Sequence, residues 1–384
     1  MKGPSIDVII GLIKNILTKR QNFKVIITSA TLDSALFEKY FGTKTFKVSG
    51  RMYPVTIKYL PFKSKERYAD KIYECINTEI IPKGNIKNEY RGHILAFCTT
   101  VDEINELCEK FRNTLDPKQF VICPLHGRLE PAEQKKAFEQ VGSKFKLVFS
   151  SRIAETAITI DKVKVVIDVG YDREMVYDQT KRISSFELMQ ISQSAAKQRA
   201  GRAGRTTAGY CFRLYEEFEQ KKMRTNKRPE IEGTPLDIVV LRLKQLQIHN
   251  IQGFPYLSPP PAENLKQSLE TMQLIGCLDE NEQINEIGRT LVKIPIEPLL
   301  SRAIVDGLIC EQLDKTRRVT GKIIRVLAMV VNPNIFYSND DNKETVDKLK
   351  FRDFADEEGD FFSLLNVYEA FERERGKSVH NFCR

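Results

Sequence analysis

The chain contains 384 residues, of which 41% are hydrophobic and 29% charged, and it carries a net charge of +9. That length and balance allow two or three domains with buried cores and exclude a disordered chain. The longest purely apolar run, Val326–Val331, is far shorter than the roughly 20 residues of a membrane span, so we expect no membrane contact. Eight scattered cysteines without a Cys-x-x-Cys pair predict reduced thiols and no metal site.

Most of the net charge is concentrated in one short part of the chain. Between Lys181 and Arg228 there are 12 Lys or Arg residues against four Glu residues. Such a block attracts polyanions and gives a salt-dependent affinity for phosphate backbones. A solvated surface patch could have the same composition, so the spacing of the arginines has to decide between the two interpretations.

The first half of the chain predicts helices followed by a parallel sheet. Apolar periodicity predicts an amphipathic helix over 5–17, the β-branched run Lys24–Thr28 predicts a buried strand, and 66–80 predicts a long helix. From Gly92 onward, short apolar strands alternate with helices, which is typical of a doubly wound parallel sheet. The predicted strands are 93–98, 120–124, 145–150, 164–169 and 210–214, and the predicted helices are 101–111, 131–140 and 193–199.

The second half predicts helices instead of strands. The segment Pro235–Leu246 is amphipathic, with Thr234 as the expected N-cap and proline in the first turn. Ser258–Pro261 contains three consecutive prolines and predicts a stiff break. Further helices are predicted over 262–275, 298–311 and 316–331.

The most informative segment is Gln198–Arg205 (QRAGRAGR), in which arginines recur every three residues among glycines. Guanidinium groups stay charged and offer planar, bidentate donors to phosphate. An arginine delivered from one domain to a nucleotide on another stabilises the charge that develops during γ-phosphoryl transfer. The alternative is that these arginines only cap helix ends.

This segment resembles motif VI of the superfamily 2 helicases, and neighbouring segments resemble further motifs of the DEAH-box RNA helicases. Ser150–Asp161 (SSRIAETAITID) resembles motif V, Ile94–Cys98 resembles motif IV, and Gly50–Val55 resembles the linker after motif III. Ser29, Ala30 and Thr31 resemble motif III itself, which couples hydrolysis to strand separation. On these motifs the chain is identified as a member of the DEAH-box ATP-dependent RNA helicases.

The resemblance implies an α/β fold, namely a RecA-like doubly wound parallel sheet followed by a winged helix and an α-helical bundle. Residues 1–58 would be the C-terminal remnant of a first RecA-like domain. Residues 59–222 would be the second RecA-like domain, with a β-hairpin at 170–191 near the duplex junction. The winged-helix region would occupy 223–258, and a truncated ratchet-like bundle 259–384.

The resemblance also implies a role for individual residues of motifs V and VI. Gln198, Arg202 and Arg205 would contact the ATP phosphates, with Arg202 or Arg205 as the arginine finger. Gly201 and Asp161 would belong to the same nucleotide-binding site.

A second group of residues would bind RNA. Ser151, Arg152, Thr156 and Arg128 would lie near the RNA backbone or the seam between domains. Motif V usually has Thr-Asn where this chain has Ser151-Arg152. The additional charge of Arg152 could add a phosphate contact or clash with Arg128, and the sequence leaves both open.

Other aromatic and histidine side chains carry weaker signals. His126 could touch RNA, although a histidine after a strand end is more often structural. Tyr171, Tyr177 and Phe186 of the expected hairpin could stack on bases or pack against their own sheet.

Two elements of an ATPase are absent from the sequence. There is no Gly-x-x-x-x-Gly-Lys-Ser/Thr loop to cradle phosphates and no Asp-Glu-Ala-His segment to hold Mg²⁺. In the family both elements precede motif III, so the chain is expected to begin just after them and to stop before the C-terminal OB-fold. ATP and Mg²⁺ would then bind only to the complete protein, and this chain alone would hydrolyse no ATP.

The expected function is therefore part of an ATP-dependent RNA helicase that unwinds or remodels RNA or ribonucleoprotein. The alternative is a non-catalytic RNA-binding or partner-docking scaffold derived from a helicase. The expected partners are single-stranded RNA, bound through its backbone, and possible activators of the glycine-rich G-patch type. The family commonly acts on ribonucleoprotein particles, in mRNA splicing among other pathways, which favours the nucleus over the cytoplasm.

Overall fold

A computed structural model of the chain forms two compact units, one of residues 13–234 and one of residues 1–12 with 235–384. The structure describes residues 6–28, 33–46, 48, 53–61, 67–156, 160–178, 181, 183–332, 348, 350 and 352–374.

A six-stranded parallel sheet forms the centre of the first unit, in the order β1-β8-β5-β2-β4-β3. Its strands are β1 (Val55–Tyr59), β2 (His93–Phe97), β3 (Phe120–Leu125), β4 (Phe145–Ser150), β5 (Val163–Asp168) and, after the hairpin strands β6 (Tyr171–Asp178) and β7 (Ile183–Gln190), β8 (Gly209–Arg213). The predicted parallel sheet is confirmed. Because β1 pairs with β8, the sheet begins at Val55, inside the segment expected to belong to another domain.

Both faces of the sheet are buried, as a doubly wound arrangement requires. In β2, Ile94 and Ala96 belong to one buried apolar cluster, whereas Leu95 and Phe97 belong to another. The strand period of two places these pairs on opposite faces. Because successive side chains alternate between two buried faces, side chains on both faces are apolar, and such a strand appears in the sequence as a continuous apolar run.

Helices cover the two faces. The helices of the first half of the chain are α1 (Ile6–Lys19), α2 (Ser34–Phe41), α3 (Tyr68–Cys75), α4 (Val101–Thr114), α5 (Pro131–Lys136), α6 (Ile153–Thr156), α7 (Gln193–Gly201) and α8 (Glu217–Lys222). A π-helical turn, Ile76–Ile80, continues α3 and completes the long helix that was predicted. Thr100 begins α4 with a capping box in which Glu103 returns a bond to the N-cap backbone, so this threonine serves helix initiation.

Strands β6 and β7 form an antiparallel hairpin that pairs only with itself. It lies between Tyr171 and Gln190, within the segment where the resemblance implies a hairpin. Much of β7 is exposed, including Phe186, 60% of whose surface is accessible. An isolated two-stranded hairpin is marginally stable in water, so contacts at its base must hold it in place.

The prediction of a strand at Lys24–Thr28 is wrong. The segment has no regular structure, and Ile26 is 89% exposed. A parallel strand needs a neighbour to satisfy its backbone groups, and none of the six described strands of the sheet pairs with this segment. The composition of the segment favours a strand, but composition alone supplies no partner.

The second unit is helical. Its helices are α9 (Asp237–Gln245), α10 (Ala262–Leu274), α11 (Glu286–Lys293), α12 (Pro298–Leu313), α13 (Thr320–Val330) and α14 (Asp360–Glu374). Residue Leu278 forms an isolated antiparallel bridge with Ile284 between α10 and α11. Helix α9 begins with Leu236 as its N-cap; Thr234, the expected N-cap, donates its hydroxyl to the carbonyl of Glu230 instead.

Helix α9 packs against both α10 and α11, so the triple-proline segment connects helices that contact each other. In the described parts of the chain, no helix is long and apolar enough to cross a membrane.

Candidate functional site

Two of the residues implied for nucleotide binding, Asp161 and Arg205, lie at the amino edge of the sheet. Asp161 precedes β5 by two residues, and Arg205 precedes β8 by four. These two strands are parallel neighbours, so their starting points lie at the same edge. Gln198 and Gly201 lie on α7, which leads directly into this loop.

The residues implied for RNA binding lie at the opposite, carboxyl edge. Arg128 follows β3, and Ser151 with Arg152 follows β4, the neighbouring strand. The amide of Ser151 donates to the carbonyl of Leu125 (3.0 Å), which extends the pairing of β3 with β4 by one residue. Both arginines are exposed, so their charges reach the solvent at adjacent strand ends.

Arg202 and Arg205 differ in burial although they are three residues apart. Arg202 is 7% exposed, and its Nη2 donates to the main-chain carbonyl of Glu155 on α6. Burial, with the charge of Arg205 nearby, lowers the pKa of Arg202 to about 10, so the group still carries its charge at neutral pH. Arg205 is exposed. The exposed guanidinium is therefore the better placed of the two to meet a ligand.

Gly204 has a packing role. A Cβ at this position would lie 2.6 Å from the carbonyl oxygen of Tyr53, and the amide of Tyr53 donates to the carbonyl of Gly204 (2.9 Å). The glycine thus allows the loop to pack against the residues that precede β1. The space beside this glycine is thus taken by the chain itself.

Arg199, the first arginine of the repeat, is a buried structural residue and is not among the residues that the resemblance implies for phosphate contact. It is 1% exposed, and its guanidinium bonds Asp168 Oδ1 (2.9 Å) and Glu155 Oε2 (3.2 Å). Asp172 Oδ2 lies 3.8 Å away, and the ring of Phe97 lies 4.8 Å from the guanidinium carbon. No phosphate can reach a side chain enclosed in this way.

The cluster around Arg199 contains three carboxylates for one guanidinium. Burial raises the pKa of Asp172, although Arg199 and then Arg152 act in the opposite direction. Arg152 therefore lies close enough to Asp172 to favour its charge. The structure thus gives the unusual arginine of motif V an acidic neighbour.

His126 is a buried side chain at the end of β3. It is 6% exposed, no described residue forms a hydrogen bond with its Nδ1, and burial together with Arg128 lowers its pKa. This environment agrees with the structural interpretation of His126. Tyr171 packs against Tyr68, with ring centres 5.5 Å apart, whereas Phe186 extends from the hairpin into solvent.

The amino edge of β2 and β4 is held by buried basic groups. Lys146 is 1% exposed, and its Nζ caps the end of α5 by donating to the carbonyls of Ala137 (2.8 Å) and Glu139 (2.6 Å). The amide of Lys146 donates to Nδ1 of His93 (3.1 Å). Burial, with Lys146 and Lys162 nearby, lowers the pKa of His93 from 6.5 to about 4.

This shift predicts acid sensitivity. Between about pH 6.5 and 4 the unfolded chain binds a proton at His93 that the folded chain does not, so stability falls as the pH falls through this range. We expect His93→Asn, which keeps an acceptor for the amide of Lys146, to lose less stability than the wild type between pH 7 and pH 5. The urea midpoint of unfolding at the two pH values measures this loss. An equal loss in both proteins would contradict the assignment.

Two sets of implied residues cannot be placed. Ser29, Ala30 and Thr31 lie outside the described residues, as does the side chain of Thr156. Over the ranges that the structure describes, no group of three or more His, Cys, Asp or Glu side chains could hold a metal ion.

Two comparisons with known protein families agree with the fold. Residues 70–207 match the helicase conserved C-terminal domain, and residues 268–296 match the winged-helix helicase-associated domain HA2. The second match begins within α10 and includes α11, so the winged helix extends past 258, the boundary that was predicted for it.

Comparison with solved structures gives the same fold. The chain superposes on the Escherichia coli DExH-box NTPase HrpB with a TM-score of 0.73 at 23% identity, over 90% of this chain and 42% of that one. A second structure, the Escherichia coli DEAH/RHA helicase HrpB, gives 0.74 at 22% identity, over 97% and 44%. The chain thus spans less than half the length of these proteins.

Along the chain, the segment that matches the helicase C-terminal domain is followed by the segment that matches the HA2 winged helix. Over these two segments the chain is similar to helicases.

Proposed function

We propose that the chain is part of an ATP-dependent RNA helicase that couples ATP hydrolysis to the unwinding or remodelling of RNA. The observation that carries the proposal is the division of the candidate residues between two edges of one sheet. Arg205 and Asp161 lie at the amino edge, whereas Arg128, Ser151 and Arg152 lie at the carboxyl edge. One domain can then hold a nucleotide and a polynucleotide at the same time.

The amino edge fits the phosphate end of a nucleotide. Arg205 is exposed and Arg202 lies beside it with its charge retained, so the pair offers donors to anionic oxygens. Bound ATP supplies the phosphoryl group that is transferred to water. Arg205 would stabilise the charge on that group, Arg202 would position the loop by holding α6, and Gln198 and Gly201 would shape the approach.

The residues present do not fit Mg²⁺. In the described ranges no carboxylate cluster suits a metal ion, and the sequence contains no phosphate-cradling loop. We therefore assign no step of hydrolysis to a metal bound by this chain. The metal ligands and the phosphate loop would have to come from another domain.

This division predicts that the chain alone does not hydrolyse ATP. Arginines without a phosphate cradle supply only part of the transition-state stabilisation. Turnover measured with saturating ATP and single-stranded RNA should stay at background. An RNA-stimulated rate near ~1 s⁻¹, within the ordinary enzyme range, would contradict the proposal.

The carboxyl edge fits the backbone of single-stranded RNA. Arg128 and Arg152 are exposed at adjacent strand ends, and Ser151 directly follows β4. Phe186 on the hairpin is available for base stacking, which is worth about 1–3 kcal/mol per base. We propose RNA as the polynucleotide and the nucleus as the compartment, with G-patch-type proteins as possible partners of the helical unit.

RNA binding by the chain without ATP tests this part of the proposal. Fluorescence anisotropy with a labelled uridine 12-mer should show an affinity that falls as salt is raised from 50 to 200 mM. Absence of binding at 50 mM salt would contradict the proposal that the chain binds RNA. An affinity that does not change with salt would contradict the proposed contacts with the phosphate backbone.

A further inference from the structure

The buried guanidinium of Arg199 contacts the base of the β6–β7 hairpin. Arg199 Nη1 donates to the carbonyl of Tyr171 (3.3 Å), and Arg199 Nη2 lies 3.8 Å from Asp172 Oδ2. Both acceptors belong to the first two residues of β6. The same guanidinium bonds Asp168 at the end of β5 and Glu155 on α6. Four acceptors on three elements thus meet at one side chain.

The position of Arg199 in the chain gives this junction a functional context. It lies on α7 three residues before Arg202, and both arginines contact Glu155, one through its carboxylate and the other through its carbonyl. Helix α7 therefore connects the loop of the nucleotide arginines with the base of the hairpin. The charge of Arg152, which is implied in RNA binding, lowers the pKa of Asp172.

We propose that Arg199 is a positioning residue that fixes the hairpin through Asp172, so that the hairpin is held where it can contact RNA bound at the carboxyl edge. The inference rests on the proposed RNA-binding function for its consequence, but the junction itself is independent of RNA. Of the acceptors, Asp172 is the one whose charge can be removed with least disturbance. Arg199 keeps Asp168 and Glu155 when Asp172 is neutral, and burial already disfavours the charge of Asp172.

The variant Asp172→Asn tests the proposal, with Glu187→Gln as its matched control. Glu187 is an exposed carboxylate on β7 of the same hairpin, so its replacement removes an equal charge without touching Arg199. Hydrogen exchange of the amides of β6 and β7 should become about tenfold faster in Asp172→Asn and should not change in Glu187→Gln. Exchange in β2, β4 and β5 should be unchanged in both variants.

A second readout separates positioning from ordinary stabilisation. Addition of the uridine 12-mer should slow exchange in the hairpin of the wild type but not in that of Asp172→Asn, even when the affinity of the two differs by less than threefold. Arg199→Lys keeps the buried charge but cannot reach all four acceptors, and it should behave like Asp172→Asn in the hairpin.

Hairpin exchange equal to wild type in both Asp172→Asn and Arg199→Lys would overturn the proposal. Faster exchange throughout the sheet unit in both variants would also overturn it, because Arg199 would then stabilise the core without specific action on the hairpin. If neither the wild type nor any of the variants binds RNA, the proposed function fails. Hydrogen exchange measured without RNA then still decides whether Arg199 holds the hairpin.

Discussion

Replacement of Arg205 by alanine should lower ATP hydrolysis by about a thousandfold in an assembly that joins this chain to a domain with the phosphate-cradling loop. An arginine finger stabilises charge on the transferred phosphoryl group and contributes roughly 10³ or more to kcat. Arg205 is exposed at the amino edge, so its removal should not disturb the fold. The measurement is kcat at saturating ATP and RNA.

Lys197→Ala is the matched control for Arg205. Lys197 is also exposed and lies on α7, so its loss removes the same charge from a nearby position. We expect its kcat to stay within threefold of the wild type. A kcat within threefold of the wild type for Arg205→Ala would show that this arginine does not contact the phosphoryl group during its transfer.

Replacement of Arg199 by methionine should destabilise the sheet unit by about 3–5 kcal/mol. The side chain is enclosed, and its loss leaves Asp168, Glu155 and Asp172 together without a counter-charge. The free energy of unfolding is measured from urea denaturation, with hydrogen exchange of β4 and β5 reporting on this unit.

Arg205→Ala serves as the stability control, because it removes a guanidinium from the same motif at an exposed position. We expect it to change the free energy of unfolding by no more than about 0.5 kcal/mol. A loss below ~1 kcal/mol for Arg199→Met would contradict the buried ion-pair cluster as a determinant of the fold.

Five of the six described strands of the sheet could be predicted from the sequence because both of their faces are buried, whereas β1 was not predicted as a strand. Strand β4 forms over 145–150 as predicted, and the other central strands differ from their predictions by one or two residues. A strand buried on both faces is a continuous apolar run, and such a run is visible in the sequence. The failure at Lys24–Thr28 has the same origin, since an apolar run does not reveal whether a neighbouring strand exists.

The difference in burial between Arg199 and Arg205 could not be predicted from the spacing of the arginines. Arg199 and Arg205 occur in the same repeat, but Arg199 is buried by Asp168 and Asp172, which lie about thirty residues earlier in the chain. The signal that was available is the acidic residue at the end of β5, because a buried carboxylate requires a partner. The division between the two edges follows from strand order, which the sequence does not reveal.

The salt dependence of RNA binding tests the separation of the two edges most directly. Each phosphate contact with single-stranded RNA contributes about 0.7 to the slope of log K against log salt. Arg128→Ala combined with Arg152→Ala should therefore reduce the slope by about 1.4, whereas Arg205→Ala should leave the slope and the affinity unchanged. An equal reduction by Arg205→Ala, or an unchanged slope in the double variant, would contradict the assignment of RNA to the carboxyl edge.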